Sequence, residues 1–260
     1  MSYQTLRLGQ EGQVATIVLS RPEKRNAIST QMIEEMLVAL QEVESGAARV
    51  LILTGSGKAF CAGMDLEALR ALAEQSLEQN IEDSRLFADL LYRIYTFPKA
   101  MIAAVNGAAI AGGCGIATLA DFTLAVPEAK FGYTEVKIGF IPAVVSVFLR
   151  RQTGDKIARD LLISGRIIDA AEAYRLGLVT EIVPADKLAA RAQEFAGILL
   201  SASPTSMART KRLLLGYEES ALQAEMEVAI RENASIRSTS DFREGLSAFL
   251  EKRTPHWVGR

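Results

Sequence analysis

The sequence predicts an α/β protein that ends in a helical C-terminal piece. Two observations carry this. Strand-like apolar runs alternate with helical patterns for about 180 residues, and from Asp186 onward every segment has helical spacing. A third marks the centre: residues 99–139 pack two strand-like runs, a glycine-rich turn, a small-residue helix and Glu135 in an otherwise apolar neighbourhood into one stretch.

The elements follow in order. Residues 3–8 and 13–20 alternate apolar and polar around 9–12, which predicts a β-hairpin. Residues 21–27, RPEKRNA, form a charged loop. Ser29 can cap a helix over 30–44 with Met32, Ile33, Met36, Leu37 and Leu40 on one face. Residues 49–54 read as a buried strand and 55–65, GSGKAFCAGMD, as a glycine-rich loop. Helical patterns fill 66–97, break near 75–77, and stop at Pro98. Residues 101–105 read as a buried strand closed by the Asn106-Gly107 turn, 114–120 as a buried helix, and 122–126 as a strand.

Farther on, Pro142 can open a helix to 151, Thr153 a helix over 154–163, and Asp169 a helix over 170–176 ended by Gly177. Residues 178–183 read as a strand. Helices are expected over 187–201, 204–215, 221–238 and 242–252, the last opened by Asp241 with Glu244 three residues on.

Composition limits the chemistry. The 260 residues are 49% hydrophobic, enough for one large core, and the net charge of −2 points to neither nucleic acid nor an acidic membrane surface. The N-terminus lacks a signal-peptide or transit-peptide pattern, and no apolar run approaches the ~20 residues of a membrane span. Cys61 and Cys114 are the only cysteines, which fits a reducing cytoplasm. His256 is the only histidine and lies in the tail, so Ser-His-Asp and Cys-His sites are disfavoured. No metal-ligand spacing, P-loop or dinucleotide fingerprint occurs.

The chemistry left is proton transfer beside a carbonyl. Glycines before a helix leave backbone N–H groups bare, and the helix dipole adds positive potential, so Ala111-Gly112-Gly113 can hold a developing oxyanion. Glu135 follows within a couple of dozen residues in an apolar setting, as a general acid–base group.

These residues also carry a resemblance. Residues 21–27 with their NA ending, 58–66 (KAFCAGMDL), Val105-Asn106-Gly107 with 111–114 (AGGC), Phe131-Gly132 through Glu135, Gly139 and Pro142, and the tail EGLSAFLEKRTP stand in the order seen in the crotonase superfamily, the enoyl-CoA hydratase/isomerase family. The resemblance spans nearly the whole chain. It implies a crotonase-like ββα spiral core over 1–195, a helical trimerisation domain over 196–260, and a homotrimer or dimer of trimers. It implies acyl-CoA thioester substrates, with no cofactor beyond the coenzyme A that the substrate carries, and no nucleic-acid or membrane partner. The thioester oxygen would lie between the backbone N–H groups of Met64 and Gly112, with Glu135 as sole acid/base.

The same resemblance assigns substrate contacts to Lys24, Arg25, Ala27, Ala62, Asp65, Leu66, Gly113, Phe249 and Lys252, the last two as a tail from a neighbouring subunit. From the residues alone, Asp65 is a helix cap, Cys61 and Cys114 are small buried hydrophobes, Asp121 is a structural pair, and Arg150-Arg151 complement a helix end.

One departure stands out. Hydratases of the family carry two glutamates; the second matches Glu135, and Gly115 occupies the place of the first. The Pro-Gly-rich turn of the family is altered to PAVVS at 142–146. One carboxylate resembles the family's isomerases, because a single base can move a proton between carbons. The TEVKIG context of Glu135 resembles hydratase-like members. Hydration of 2-enoyl-CoA stands slightly ahead of double-bond isomerisation, with a catalytically silent CoA-binding homologue as a further alternative. Other enolate chemistry, decarboxylation or thioester hydrolysis, stays open.

Overall fold

The structure, a computed structural model, describes residues 3–259. Strands β1 (Leu6–Glu11) and β2 (Val14–Leu19) form the opening hairpin. The turn is made at Gly12, with φ +56°, and not by the whole 9–12 segment. Gly9 pairs with Thr16 inside the ladder, which moves β1 toward Gly12 relative to the expected strand. Helix α1 (Thr30–Ser45) starts where Ser29 accepts a hydrogen bond from the Met32 N–H. It buries Met32, Ile33, Met36, Ala39, Leu40 and Val43, the stripe its 3.6-residue period dictates.

Three ββα units follow. The first is β3 (Val50–Gly55), β4 (Ala59–Cys61), α2 (Leu66–Leu72) and α3 (Leu77–Tyr95). The second is β5 (Ala100–Val105), β6 (Ala108–Ile110) and α4 (Gly112–Thr118). The third is β7 (Phe122–Ala125), β8 (Lys130–Gly132), a 3₁₀ turn over Glu135–Ile138 and α5 (Ala143–Thr153). The first strand of each unit joins one sheet and the second joins another. Each unit thus steps both sheets forward by one position, and the chain spirals.

The remaining elements are α6 (Asp155–Ser164), β9 (Ile168–Asp169), α7 (Ala170–Arg175), β10 (Glu181–Ile182), α8 (Leu188–Leu200), α9 (Pro204–Gly216), α10 (Glu219–Ser235) and α11 (Ser240–Glu251). The six-stranded sheet has the order β1-β2-β3-β5-β7-β10, parallel except for β1. The four-stranded sheet has the order β4-β6-β8-β9, with only β9 antiparallel. Every residue of β5 is buried, as a central parallel strand covered on both faces requires.

The short strands β4, β6 and β8, three residues each, were not expected from the sequence; 55–65 reads there as one loop. Three residues cannot display a period, so only pairing reveals them. Two caps also differ. Gly154 and not Thr153 precedes α6, because the Thr153 hydroxyl donates back to the Leu149 carbonyl within α5. Thr239 caps α11 by accepting from the Phe242 N–H, while Asp241 accepts from the N–H groups of Val258 and Gly259 in the tail. Arg150 and Arg151 stand in the last turn of α5, as expected, and also pair with Glu225, and Arg151 with Glu218, which ties α5 to the α10 region. The expected boundary between residues 195 and 196 falls inside α8, one continuous helix packed against β3, β5 and β7. No described helix is long and apolar enough to cross a membrane.

Candidate active site

The second sheet assembles the site. β4, β6 and β8 lie side by side and run parallel, so the segments leaving their C-terminal ends emerge together. Met64 follows β4, Gly112 follows β6, and Glu135 follows β8. Gly63 holds the first two segments in contact: a side chain there would meet the Ile110 carbonyl at 3.0 Å and the Ala111 Cβ at 3.1 Å.

Met64 forms an isolated bridge to Ile28, in which the Ile28 N–H donates to the Gly63 carbonyl at 2.7 Å and the Asp65 N–H to the Ile28 carbonyl at 2.8 Å. That pattern uses the groups on either side and leaves the Met64 N–H without a partner among the described residues. Gly112 is the first residue of α4, where an N–H has no intrahelical partner, and it too has none among the described residues. The bend that turns the chain into α4 is Ala111, at φ 51° and ψ −127°. A residue with a Cβ is strained there by about 1–3 kcal/mol. The Ala111 N–H donates to the Gly132 carbonyl at 2.7 Å and its carbonyl accepts from the Cys114 N–H at 2.9 Å, which holds the conformation in place.

Glu135 opens the 3₁₀ turn and is 8% exposed. Its Oε2 is buried without a hydrogen-bond partner, and no ion pair reaches it, although Lys130 and Lys137 are near in sequence. Burial pushes the carboxyl up to about 7, opposed only in part by the backbone N–H of Glu135 itself. A group with that pKa exchanges its proton readily near neutral pH. Helix α11 buttresses the turn: a side chain at Gly139, where φ is +67°, would meet the Asp241 carbonyl at 2.2 Å, and one at Gly245 would meet the Ile138 carbonyl carbon at 2.3 Å.

The three segments border one cavity of about 670 Å³. Charged Glu23, Lys24, Arg25, Glu67 and Arg237 line it together with Phe87, Phe140, Val144, Val145 and Asn233. Cys61 and Cys114 are fully buried, and burial pushes both thiols up to about 12, so neither is a nucleophile near neutral pH.

The sequence profile of the family described as enoyl-CoA hydratase/isomerase matches residues 9–260. The chain belongs to the enoyl-CoA hydratase/isomerase family. A Thermus thermophilus relative carrying an enoyl-CoA hydratase name is 44% identical over 95% of this chain and 98% of its own. A 2,3-dehydroadipyl-CoA hydratase of Escherichia coli is 33% identical over 98% of this chain and 99% of its own. The crystal structure of an enoyl-CoA hydratase/isomerase from Xanthobacter autotrophicus Py2 superposes with a TM-score of 0.89 at 29% identity, covering 97% of this chain and 98% of that one. The two-sheet spiral is thus the crotonase fold.

Within this family member, Met64, Gly112, Glu135, Lys24, Arg25, Ala27, Ala62, Asp65 and Phe249 all border the cavity. Gly113 does not: its Cα faces Cys61, and a side chain there would meet the Cys61 carbonyl at 2.5 Å. Lys252 does not either; it is the exposed, left-handed C-cap of α11. Phe249 reaches the cavity of its own chain, so no second copy is needed to bring it there. The Leu66 side chain lies outside the described residues.

Asp65 caps α2 by accepting from the Glu67 N–H and pairs with Arg21 at 2.8 Å. Burial pushes its carboxyl up, but the Glu67 N–H, Arg21 and Lys24 outweigh burial and hold it below its ordinary value. Asp121 accepts from the Met101 N–H and pairs with Lys211 of α9 at 2.7 Å.

Sequence reasoning left the parts played by three residues unread. Asn26, fully buried, donates to the Ser56 and Ala59 carbonyls and fixes the 21–27 loop against β4. The NA ending of that loop was its only trace. Ala111 had no signal, since nothing in an alanine announces a positive φ. Arg237 sits in a stretch whose helical pattern says nothing about the cavity it faces, whereas Val144 and Val145 belong to the apolar 144–148 stretch that reads as a pocket wall.

Proposed function

We propose that this enzyme hydrates 2-enoyl-CoA thioesters through an enolate held by the Met64 and Gly112 N–H groups, with Glu135 as the only acid/base. The observation that carries the reading is the Glu135 carboxylate, buried without a partner in the cavity that both free N–H groups border. As a base, Glu135 takes a proton from water while the water oxygen bonds to C3. The C2–C3 π electrons move to the thioester oxygen, which becomes the enolate oxygen. As an acid, Glu135 then returns the proton to C2 and the thioester re-forms. Two N–H donors in a low-dielectric site stabilise the enolate by about 2.7–4 kcal/mol each on the scale of such donors elsewhere. Lys24 and Arg25 at the edge would meet the coenzyme A phosphates. The enzyme would assemble as a trimer or a dimer of trimers, and its two buried free thiols suit a reducing cytoplasm.

Isomerisation of a 3-enoyl-CoA is the second reading, and one observation favours it. A side chain at Gly115 would meet Val145 Cγ1 at 2.7 Å, so the packing itself leaves no place there for a second carboxylate.

Crotonyl-CoA and a 3-enoyl-CoA, each followed by mass and by absorbance, separate the two. Hydration of crotonyl-CoA is expected, and Glu135→Gln should lower turnover ~10²–10⁴-fold while thioester binding is largely kept. Full activity of that variant on every enoyl-CoA would overturn the mechanism.

A further inference from the structure

A guanidinium is buried at the edge of an otherwise apolar stretch of this cavity. Arg237 is 2% exposed, and it lines the cavity beside Asn233. Its Nη1 donates to Asn80 Oδ1 at 2.8 Å; its Nη2 donates to Ser84 Oγ at 3.0 Å and Asn233 Oδ1 at 2.8 Å, and pairs with Asp83 at 2.9 Å. The guanidinium carbon stands 5.7 Å from the centre of the Phe140 ring.

One donor is left open to the cavity. Arg237 Nε is buried with no hydrogen-bond partner and presents no exposed surface to a ligand. Asn233 Oδ1 accepts from both Ser84 and Arg237, which orients the amide, and its Nδ2 donates no hydrogen bond among the described residues. An acceptor entering the cavity would pair the Asn233 Nδ2 donor, which an apolar group covering it would leave unpaired.

The position relative to the reacting centre follows from α3. A side chain at Gly112 would meet Phe87 Cζ at 2.8 Å, so Phe87 marks the thioester end. Ser84 and Asn80 lie one and two turns away on the same helix, about 5–10 Å along its axis. Phe87 and Phe140 wall the space between, beside Val144 and Val145. Phe87 stands at the Gly112 end of the cavity and Phe140 beside Arg237, so apolar rings lie near both the Gly112 N–H and the Asn233–Arg237 pair. Asp83 already balances the Arg237 charge, so what the site offers is a hydrogen-bond donor more than net positive charge.

We propose that Asn233 and Arg237 form a specificity subsite for acyl groups that carry an accepting oxygen several carbons from the thioester. This rests on the CoA-thioester reading above and adds the substrate class. A purely apolar chain of the same length covers the Asn233 Nδ2 donor and leaves it unpaired, while Arg237 and Ser84 hold that amide in place.

The test is calorimetric binding of saturated thioesters, which cannot react, to the full-length protein: hexanoyl-CoA, 6-hydroxyhexanoyl-CoA and adipyl-CoA. At least one oxygenated ester is expected to bind ~10-fold or more tighter than hexanoyl-CoA. Preference for the hydroxyl or for the carboxylate tells which oxygen the subsite takes, and either supports the proposal. Asn233→Asp keeps the oxygen that Ser84 and Arg237 need but replaces the free donor with an acceptor, and it should remove a preference for the carboxylate ester. Asn233→Leu should remove either preference without adding charge. Arg237→Met is the less useful variant, because it strands Asp83.

Hexanoyl-CoA binding as tightly as both oxygenated esters would overturn the subsite, as would a preference that survives both Asn233 variants. Failure of all three esters to bind would instead overturn the CoA-thioester reading.

Discussion

At the scale of the residue, the burial of Glu135 makes stability depend on pH. Burial raises its carboxyl from an ordinary 4.5 to about 7 in the folded chain. The folded state therefore binds that proton more tightly than the unfolded state does. Its favourable contribution is present below about pH 4.5 and is lost as pH rises through about 7, a swing on the order of 3 kcal/mol. Glu135→Gln cannot ionise, so its stability relative to wild type should increase by ~3 kcal/mol between about pH 4 and about pH 8. Urea unfolding of both proteins at the two pH values checks this. An unchanged difference would mean that Glu135 does not titrate in that range. Ala111 is a second local cost, a strained φ maintained because the bend aims the Gly112 N–H away from the helix it begins.

At the scale of the element, α5 decides how many carboxylates the site can hold. Its Val145 fills the space beside Gly115 in α4, and both residues are buried. Gly115→Glu would place the second carboxylate where family hydratases carry one, but only by displacing a stiff β-branched side chain. Such overpacking costs about 1–3 kcal/mol. Thermal unfolding should show the single variant destabilised. Gly115→Glu combined with Val145→Gly should recover stability and raise hydration of crotonyl-CoA relative to isomerisation of a 3-enoyl-CoA. A single variant as stable as wild type would show that the Val145 contact does not govern the site. α11 plays a different part: Gly245 and the Asp241 carbonyl seat directly on the turn that carries Glu135. A terminal helix thereby sets the position of the carboxylate.

At the scale of the whole molecule, the C-terminal helices divide into two kinds. α10 packs on α3 and α5, and α11 packs on the Glu135 turn. α9 buries none of its residues. Leu213 and Leu214 on α9 and Tyr217 just after it stay open, at 57%, 63% and 71% exposed. Apolar groups gathered this way are what a subunit interface covers. Light scattering should give three or six times the 28.2 kDa subunit mass. Leu213→Glu with Leu214→Glu should shift that mass toward the monomer. A wild-type monomer at micromolar concentration would reject the assembly.

Local signals in this chain reach as far as element type and the chemical character of the residues at the proposed site. The run at β5 had to be a buried strand, since six apolar residues between Lys99 and Asn106 have no other stable place. Ser29, Asp65 and Asp169 cap their helices as short-range chemistry dictates. The absence of any histidine but His256, together with Glu135 and the glycines before α4, pointed to carboxylate acid–base chemistry beside bare N–H groups before any coordinates. The tertiary structure decided the rest. Pairing of three-residue strands brings Met64, Gly112 and Glu135 to one edge, and a period cannot show in three residues. The contact between Gly115 and Val145, 30 positions apart in the printed numbering, depends on how α4 meets α5. Arg237 faces Ser84 across |i−j| = 153, and no helical pattern near either end carries that meeting. Such groups belong to the fold's global packing, because only the closed chain determines which buried donor is left without a partner.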